Sequence, residues 1–229
     1  MAANRPGLAP LVRVPALSHT GAMAQSEKAP EKAPEKAPEK APEKAPEKSS
    51  GPNFVRRVPE GDDLPRRVCE DCGFVDYENP KIVVGSVCYW RDKLLLCRRA
   101  IEPRKGFWTL PAGYLEQNEA ADAGARREAW EEARAEIEIE QLLGLYSIAR
   151  ISQVQLIFRA RLLSPEVAPG PETIELDLFA WDGIPWDQVA FPSVLWALDH
   201  FRQSRDRSAF APFTNPEDAT GELPPAGSL

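Results

Sequence analysis

Apolar residues along this chain form short runs that are typical of β-strands. The runs Ile82–Trp90 and Lys93–Arg99 are separated only by Arg91 and Asp92, and this spacing predicts a β-hairpin. Further strand candidates are Glu136–Ile139, Leu142–Ile148, Val154–Leu163 and Leu176–Trp181. A last helix is predicted from Pro192 to about Arg205. The order of these elements predicts a mixed α/β (α+β) domain.

Both ends of the chain lack such patterns. Glu27–Lys48 repeats the sequence EKAP, and its regularly spaced prolines remove the backbone donors that a continuous helix needs. We therefore expect residues 1–52 to be a disordered, semi-rigid spacer. Near the C-terminus Pro, Gly and Asn recur without periodicity, so a second disordered tail is expected over residues 207–229. A short segment, 53–79, and a larger domain, 80–206, lie between the two tails.

Composition narrows the classes of function. The chain has a formal net charge of −7, and because its tail up to Pro52 holds eight Lys and Arg against six Glu, the remainder is more acidic still. Such a domain is unsuited to nonspecific binding of nucleic acid. The apolar stretch Leu8–Leu17 is short and contains two prolines, so no membrane span is predicted. We expect a cytoplasmic protein. An organelle is the alternative, since residues 1–26 are acidic-poor and carry two arginines.

Three glutamates supply the strongest chemical signal. On a helix, Glu128, Glu131 and Glu132 lie at offsets of zero, three and four residues, so their carboxylates share one face. Like charges at this spacing repel by roughly 0.2–0.5 kcal/mol per pair, and a divalent cation would relieve the repulsion. Carboxylates without nearby His or thiolate ligands favour Mg²⁺ or Mn²⁺. The alternative is a solvated acidic face.

The spacing around these glutamates resembles the signature of the Nudix hydrolases. The stretch Gly113–Ala135, GYLEQNEAADAGARREAWEEARA, matches G-x5-E-x7-R-E-U-x-E-E-x-G-U at seven positions in register. One position departs, because Arg134 stands where the motif has its last glycine. This departure affects the expected geometry of the helix end and none of the ligands that the resemblance implies.

The resemblance implies a Nudix α/β/α sandwich with a mixed sheet, in which a loop, a helix and a loop bind metal and cleave a diphosphate. The implied metal ligands are Glu131, Glu132, Glu128 and the carbonyl oxygen of Gly113. Glu128 is alternatively the base that orients water. Arg127 would pair with Glu119 and fix the helix relative to the loop before it.

Two further groups of charged residues are candidates for the site. The stretch CRRAIEPRKGFW contains three arginines that form either a solvated loop or a phosphate clamp beside the metal. They are Arg98, Arg99 and Arg104. The proline-rich loop Ser164–Thr173 leads to Glu172 and Glu175. In Nudix enzymes an acidic residue from this region often assists the metals or activates water, and both glutamates are candidates, with a surface or structural role as the alternative.

A pair of cysteines precedes the domain. Cys69 and Cys72, in the sequence CEDCG, have the spacing of one knuckle of a zinc ribbon, whereas a structural zinc site needs four ligands. Cys88 and Cys97 lie inside strand-like runs. The knuckle is therefore unfilled, shared between two chains, or completed by unusual ligands. A Nudix subfamily that includes FAD pyrophosphatases carries such a ribbon, which this chain resembles from Asn53 onward without the first cysteine pair. We do not expect bound Zn²⁺.

Together these features predict a Mg²⁺- or Mn²⁺-dependent hydrolase that cleaves a diphosphate bond. The stretches RVPEGDD, YENPKIVVG, CRRAIEP, WTLPAG, SQVQLIFRARL and IPWDQVAFPS resemble the FAD/ADP-ribose pyrophosphatase subgroup. This resemblance implies a dinucleotide or nucleotide-sugar substrate, FAD or ADP-ribose. Nudix relatives are frequently dimeric, so a homodimer is expected. A catalytically silent Nudix-like binding module and a protein-binding adaptor are the alternatives.

Overall fold

The computed structural model describes residues 53–222, which form a small three-stranded sheet and a larger seven-stranded sheet. The predicted spacer, 1–52, and the end of the predicted C-terminal tail, 223–229, lie outside the described residues. The described range therefore contains both the cysteine knuckle and the whole glutamate-rich motif.

The small sheet is antiparallel and consists of β1 (Phe54–Arg57), β2 (Arg66–Cys69) and β3 (Val75–Asp76). Val68 in β2 is buried, and the Arg67 guanidinium lies 4.8 Å from the ring centroid of Phe54. Protein contacts thus connect the strands of this ribbon.

The large sheet is mixed, as expected. Its strands are β4 (Lys81–Trp90), β5 (Lys93–Arg99), β6 (Trp108–Thr109), β7 (Ala112–Tyr114), β8 (Ile137–Ile148), β9 (Gln153–Leu162) and β10 (Thr173–Ala180). The order is β10-β5-β4-β9-β8, with β6 paired to β5 and β7 paired to β4. β4 and β9 are parallel, whereas the other pairs are antiparallel. The predicted hairpin is confirmed as β4–β5, and the two strand candidates between 136 and 148 form the single strand β8.

Two helices cover opposite faces of this sheet. α1 spans Ala121–Ala133 and α2 spans Pro192–Ser204. In β4, Val87 packs with α2 residues whereas the next residue, Cys88, packs with α1 residues. Because side chains alternate across a strand, the continuous apolar runs supply both layers of core. The expected α/β/α arrangement is confirmed. Neither helix of the described part is long and apolar enough to cross a membrane.

The C-terminal segment differs from the expectation of a disordered tail over 207–229. Phe213 forms a parallel bridge with Gly144 of β8, and its backbone N–H donates to the carbonyl of Leu143 at 2.9 Å. The Asn215 side chain bonds to the backbone N–H and carbonyl of Ser147. Residues 210–221 therefore run along the edge of the sheet.

Candidate active site

A stripe of small residues sets the position of α1. Ala125, Ala129 and Ala133 have no exposed surface and pack against the strands below. Residues spaced by four share one side of a helix, so the stripe brings the helix backbone close to the sheet. The predicted glutamates lie one to three positions from these alanines, so they fall at the edge of the contact between α1 and the sheet.

Two of the three glutamates are buried where α1 meets β7. Glu128 and Glu132 are only 7% and 8% exposed, whereas the Glu131 side chain is 53% exposed. The Glu132 carboxylate accepts a hydrogen bond from the backbone N–H of Ala112 at 3.3 Å. A Cβ at Gly113 would lie 2.4 Å from the Glu128 carboxylate, so a side chain at 113 would displace that carboxylate.

Burial makes these carboxylates costly to ionise. It raises the pKa of Glu132 to about 8, and the charge of Glu128 adds to the rise, while the N–H of Ala112 opposes it. Burial also raises the pKa of Glu128, against the lowering effect of Arg127. The charge of Glu172 raises the pKa of both groups. Two buried carboxylates thus lie close to each other and within the influence of the exposed Glu172, and a positive charge would stabilise their ionised forms.

Arg127 supplies one such charge. Its guanidinium donates two hydrogen bonds of 2.8 and 3.0 Å to Glu119, so the predicted ion pair is present, and this hydrogen bonding lowers the pKa of Glu119. The same guanidinium also lies between two motif glutamates, with Nη1 at 2.7 Å from Glu128 and 3.0 Å from Glu131. It donates further to the carbonyl of Tyr114. The sequence did not predict these last contacts.

The donor set fits a divalent cation. Within residues 53–222 no three carboxylate, imidazole or thiol side chains already converge on a common point, and Arg127 lies between Glu128 and Glu131 instead. The carboxylates themselves are hard oxygen donors in a partly buried place, which is the ligand type that Mg²⁺ and Mn²⁺ prefer. The Glu128 carboxylate occupies the space beside Gly113 that a side chain at 113 would take.

These side chains lie in the wall of a cavity of about 1030 Å³. The motif residues that line it are Gly113, Arg127, Glu128, Glu131 and Glu132. Opposite elements contribute Arg99 from the end of β5, Glu172 from the loop before β10, and Phe191 and Ser193 from the start of α2. The cavity therefore gathers residues that are far apart in the sequence.

The structure separates the two candidate glutamates of the proline-rich loop. Glu172 lines the cavity, whereas Glu175 pairs with Arg98 at 2.8 Å and is not among the lining residues. Glu172 therefore stays a candidate for the metal site, whereas Glu175 makes the structural pair that was its alternative role. Glu172 lies in the loop before β10, whereas Glu175 lies within β10 opposite Arg98 of β5, which accounts for their different surroundings.

The three candidate arginines are likewise separated. Arg99 lines the cavity and lies 5.2 Å from the ring centroid of Phe191. Arg98 is held by Glu175 and by the carbonyl of Gly106, and Arg104 lies over the ring of Phe107. Neither Arg98 nor Arg104 is among the residues that line the cavity. Of the three arginines, only Arg99 therefore stays a candidate for contact with a phosphate in the cavity.

Sequence reasoning missed several lining residues. They include Tyr114, Arg150, Gln153, Gln155 and Arg134. Tyr114 carried a signal, because it follows the first glycine of the motif. The two glutamines lie on β9, where only the pairing of β9 with β4 brings them to the site, and this pairing is not visible in a single sequence.

The cysteine knuckle lies apart from the cavity lining. Cys69 is buried and Cys72 is exposed, and both are free thiols. Backbone N–H groups of Cys72 and Asp71 lower the pKa of Cys69. Cys88 and Cys97 lie in strands, as predicted. Both are buried, and burial raises the pKa of each. In the described part of the chain the knuckle has no second pair of ligands.

Comparison with known proteins identifies relatives of this arrangement. The NUDIX domain model matches residues 79–197, and the Nudix N-terminal model matches residues 51–78. A NUDIX hydrolase structure from Nitrosomonas europaea is 43% identical, with a TM-score of 0.68, over 72% of this chain and 96% of that one.

Two curated proteins are also similar. An ADP-ribose pyrophosphatase from Methanocaldococcus jannaschii is 27% identical over 55% of this chain and 76% of its own length. A MutT-like protein from Streptomyces ambofaciens is 38% identical over 34% of this chain, and the match spans about half of that relative, 49%. The matched domain, the shared fold and the glutamate-lined cavity agree, and the chain belongs to the Nudix family.

Proposed function

We propose that this protein is a divalent-cation-dependent hydrolase of the diphosphate bond in a nucleoside diphosphate derivative, with ADP-ribose as the first candidate and FAD as the second. The observation that carries the proposal is the pair of buried carboxylates, Glu128 and Glu132, beside the exposed Glu131 in one large cavity. The similarity to an ADP-ribose pyrophosphatase supports the choice of ADP-ribose.

The size and lining of the cavity suit a substrate of this class. Its volume of about 1030 Å³ is at the upper end of the range for sites that bind small molecules. Apolar surface is supplied by Ile101, Tyr114 and Ile151, which are all at least 40% exposed. A flat base and a ribose have surfaces that can pack on such groups, while the acidic side of the cavity faces the diphosphate.

In the proposed reaction water attacks one phosphorus, and the bond from that phosphorus to the bridging oxygen breaks. ADP-ribose and water would yield AMP and ribose 5-phosphate, and FAD and water would yield FMN and AMP. A divalent cation, when bound, supplies neutralisation of the phosphate charge and acidification of the attacking water. Glu131, Glu132, Glu128 and the carbonyl of Gly113 are the groups that would hold it.

The remaining residues orient these groups. Arg127 anchors the helix to its leading loop through Glu119 and keeps Glu128 in place. Arg99 directs a positive charge into the cavity, where it can bind a phosphate oxygen. Glu128, buried and with a raised pKa, serves either as a ligand or as the group that orients water.

The test is an assay of ADP-ribose and FAD with Mg²⁺, with Mn²⁺, and with a chelator. We expect turnover that the chelator abolishes. Glu131→Gln should lower turnover at least about 10²-fold with folding retained, because it removes a major electrostatic contributor. Glu138→Gln is the matched control, since Glu138 pairs with Arg161 on the surface and does not line the cavity. Substrate binding without any turnover would favour the silent binding module.

A further inference from the structure

The loop between β9 and β10 is joined to the end of α1 by backbone hydrogen bonds. The N–H of Ala168 donates to the carbonyl of Ala133, and the N–H of Gly170 donates to the carbonyl of Glu132, both at 2.9 Å. Carbonyls in the last turn of a helix have no partner within the helix. The loop supplies those partners and is fixed to α1 as a result.

Gly170 lies in the tightest part of this contact. A Cβ built on it would be 1.7 Å from the carbonyl oxygen of Glu131 and 3.2 Å from the Cα of Glu132. Both atoms belong to the backbone of α1, so neither can swing away as a flexible side chain would. The absence of a side chain at 170 is therefore what allows the loop to approach the helix this closely.

Glu172 lies two residues farther along and lines the cavity. Its backbone carbonyl accepts a hydrogen bond from the N–H of Ala100 at 2.8 Å, and the N–H of Thr173 donates to the carbonyl of Gly170 at 3.1 Å. Thr173 then pairs with Arg99 in the sheet. The backbone around Glu172 is thus held on one side by α1 and on the other by the end of β5.

We propose that Gly170 is a positioning residue, which docks the loop on α1 and thereby fixes the Glu172 carboxylate beside Glu128 and Glu132 as part of the divalent-cation site. This inference rests on the proposed function, because it assigns Glu172 to the same cation site. In this proposal the loop is a rigid platform for Glu172, and the absence of a side chain at position 170 sets the distance between the loop and α1.

The experiment measures binding of Mn²⁺ alone to the full chain by electron paramagnetic resonance, without substrate. Gly170→Ala and Glu172→Gln should each weaken Mn²⁺ binding by about 10-fold, the scale seen when groups that orient metal ligands are removed. The double variant should bind Mn²⁺ about as tightly as the single variant with the lower affinity, because both substitutions act through the Glu172 carboxylate. Gly183→Ala is the matched control: a Cβ there has nothing within 4 Å, so Mn²⁺ binding should match the wild type.

Glu172→Asp tests the platform without touching the docking contact. On a rigid loop the shorter side chain withdraws its carboxylate by one methylene, so Mn²⁺ binding should fall almost as far as in Glu172→Gln. Wild-type binding by Glu172→Asp, or by a folded Gly170→Ala, would overturn the inference, as would multiplicative losses in the double variant. If Gly170→Ala does not fold, the Glu172→Asp result decides. Failure of the nucleotide assay with this Mn²⁺ pattern intact would count only against the proposed function.

Discussion

At the scale of single residues, Arg134 shows what a departure from a motif does to a backbone. It stands at the motif's last glycine, and its φ of 50° lies in the left-handed region. Its N–H caps α1 by donating to the carbonyl of Trp130, and its guanidinium lies 5.6 Å from the Trp130 ring centroid. The helix end keeps its geometry, and the backbone strain that glycine would avoid is retained.

This strain can be measured with a pair of variants. Arg134→Ala and Arg134→Gly both remove the side chain and its contact with Trp130, and they differ mainly in the cost of the left-handed conformation. We expect the free energy of unfolding of Arg134→Gly to be about 1 kcal/mol higher than that of Arg134→Ala. Urea denaturation of both proteins checks this. Equal stabilities, or a more stable alanine variant, would contradict the assigned conformation.

His200 gives the protein a dependence on pH. It is buried, its Nδ1 lies 2.8 Å from the Tyr146 hydroxyl, and its ring stacks on Phe213 at a centroid distance of 4.3 Å. Burial lowers the pKa of His200 from 6.5, and the charge of Asp199 only partly opposes this effect. The unfolded chain therefore takes up a proton at a higher pH than the folded chain does, and stability is lost as the pH falls below about 6.5.

The measurement is urea unfolding at pH 7.5 and pH 5.5 for the wild type and for His200→Gln, which cannot titrate in this range. The wild type should lose more free energy of unfolding between the two pH values than the variant does. The difference reports His200 alone, because the carboxylates that titrate nearby are common to both proteins. Parallel losses would mean that the histidine is as easily protonated in the folded state as in the unfolded state.

At the scale of elements, the ribbon holds together through protein contacts. Arg67 links the ring of Phe54 to the carboxylate of Asp76, and Arg66 pairs with Asp62 at 2.9 Å. We expect a zinc chelator to leave the thermal unfolding unchanged. Cys72→Ser should alter stability by no more than about 0.5 kcal/mol, because Cys72 is exposed.

Elemental analysis of the purified protein completes this test. No zinc, with unchanged unfolding, agrees with the expectation. One zinc for every two chains would instead support a metal shared between two knuckles. A bound structural zinc contributes on the order of 10 kcal/mol, so its removal would lower the melting temperature far beyond experimental error.

Elements differ in how well the sequence predicts them. The long strands and α1 were predictable because each has its own apolar run or motif, whereas β6 and β7 are too short to show a periodicity. Strand order and the parallel β4–β9 pair depend on contacts between distant residues.

At the site, the motif glutamates were predictable because they share one helix. Glu172 and Glu175 were not distinguishable, because the start of β10 at Thr173 and the pairing of Glu175 with Arg98 of β5 depend on contacts between distant residues.

For the described molecule as a whole, the C-terminal segment, residues 210–221, contacts both the hydrophobic core and the cavity. Its lack of periodicity predicted disorder, yet its position depends on a few side chains that contact distant elements. Phe213 packs on His200 against β8, and farther along Gly221 lines the cavity and accepts a hydrogen bond from Arg150. The segment therefore contributes Gly221 to the lining of the proposed substrate site, and Phe213, eight positions earlier, attaches the segment to the core.

Phe213→Ala tests this connection. The phenyl ring is partly buried, so its removal should cost about 2–3 kcal/mol of unfolding free energy, below the 3–5 kcal/mol typical of a fully buried phenylalanine. It should also raise KM for the hydrolysed substrate with little change in kcat, because the segment contributes Gly221 to the cavity lining and none of the proposed cation ligands. The neighbouring Thr214→Ala is the control, since Thr214 is exposed and should change neither quantity. A Phe213→Ala protein that is destabilised yet keeps its KM would show that the segment holds its position without this anchor.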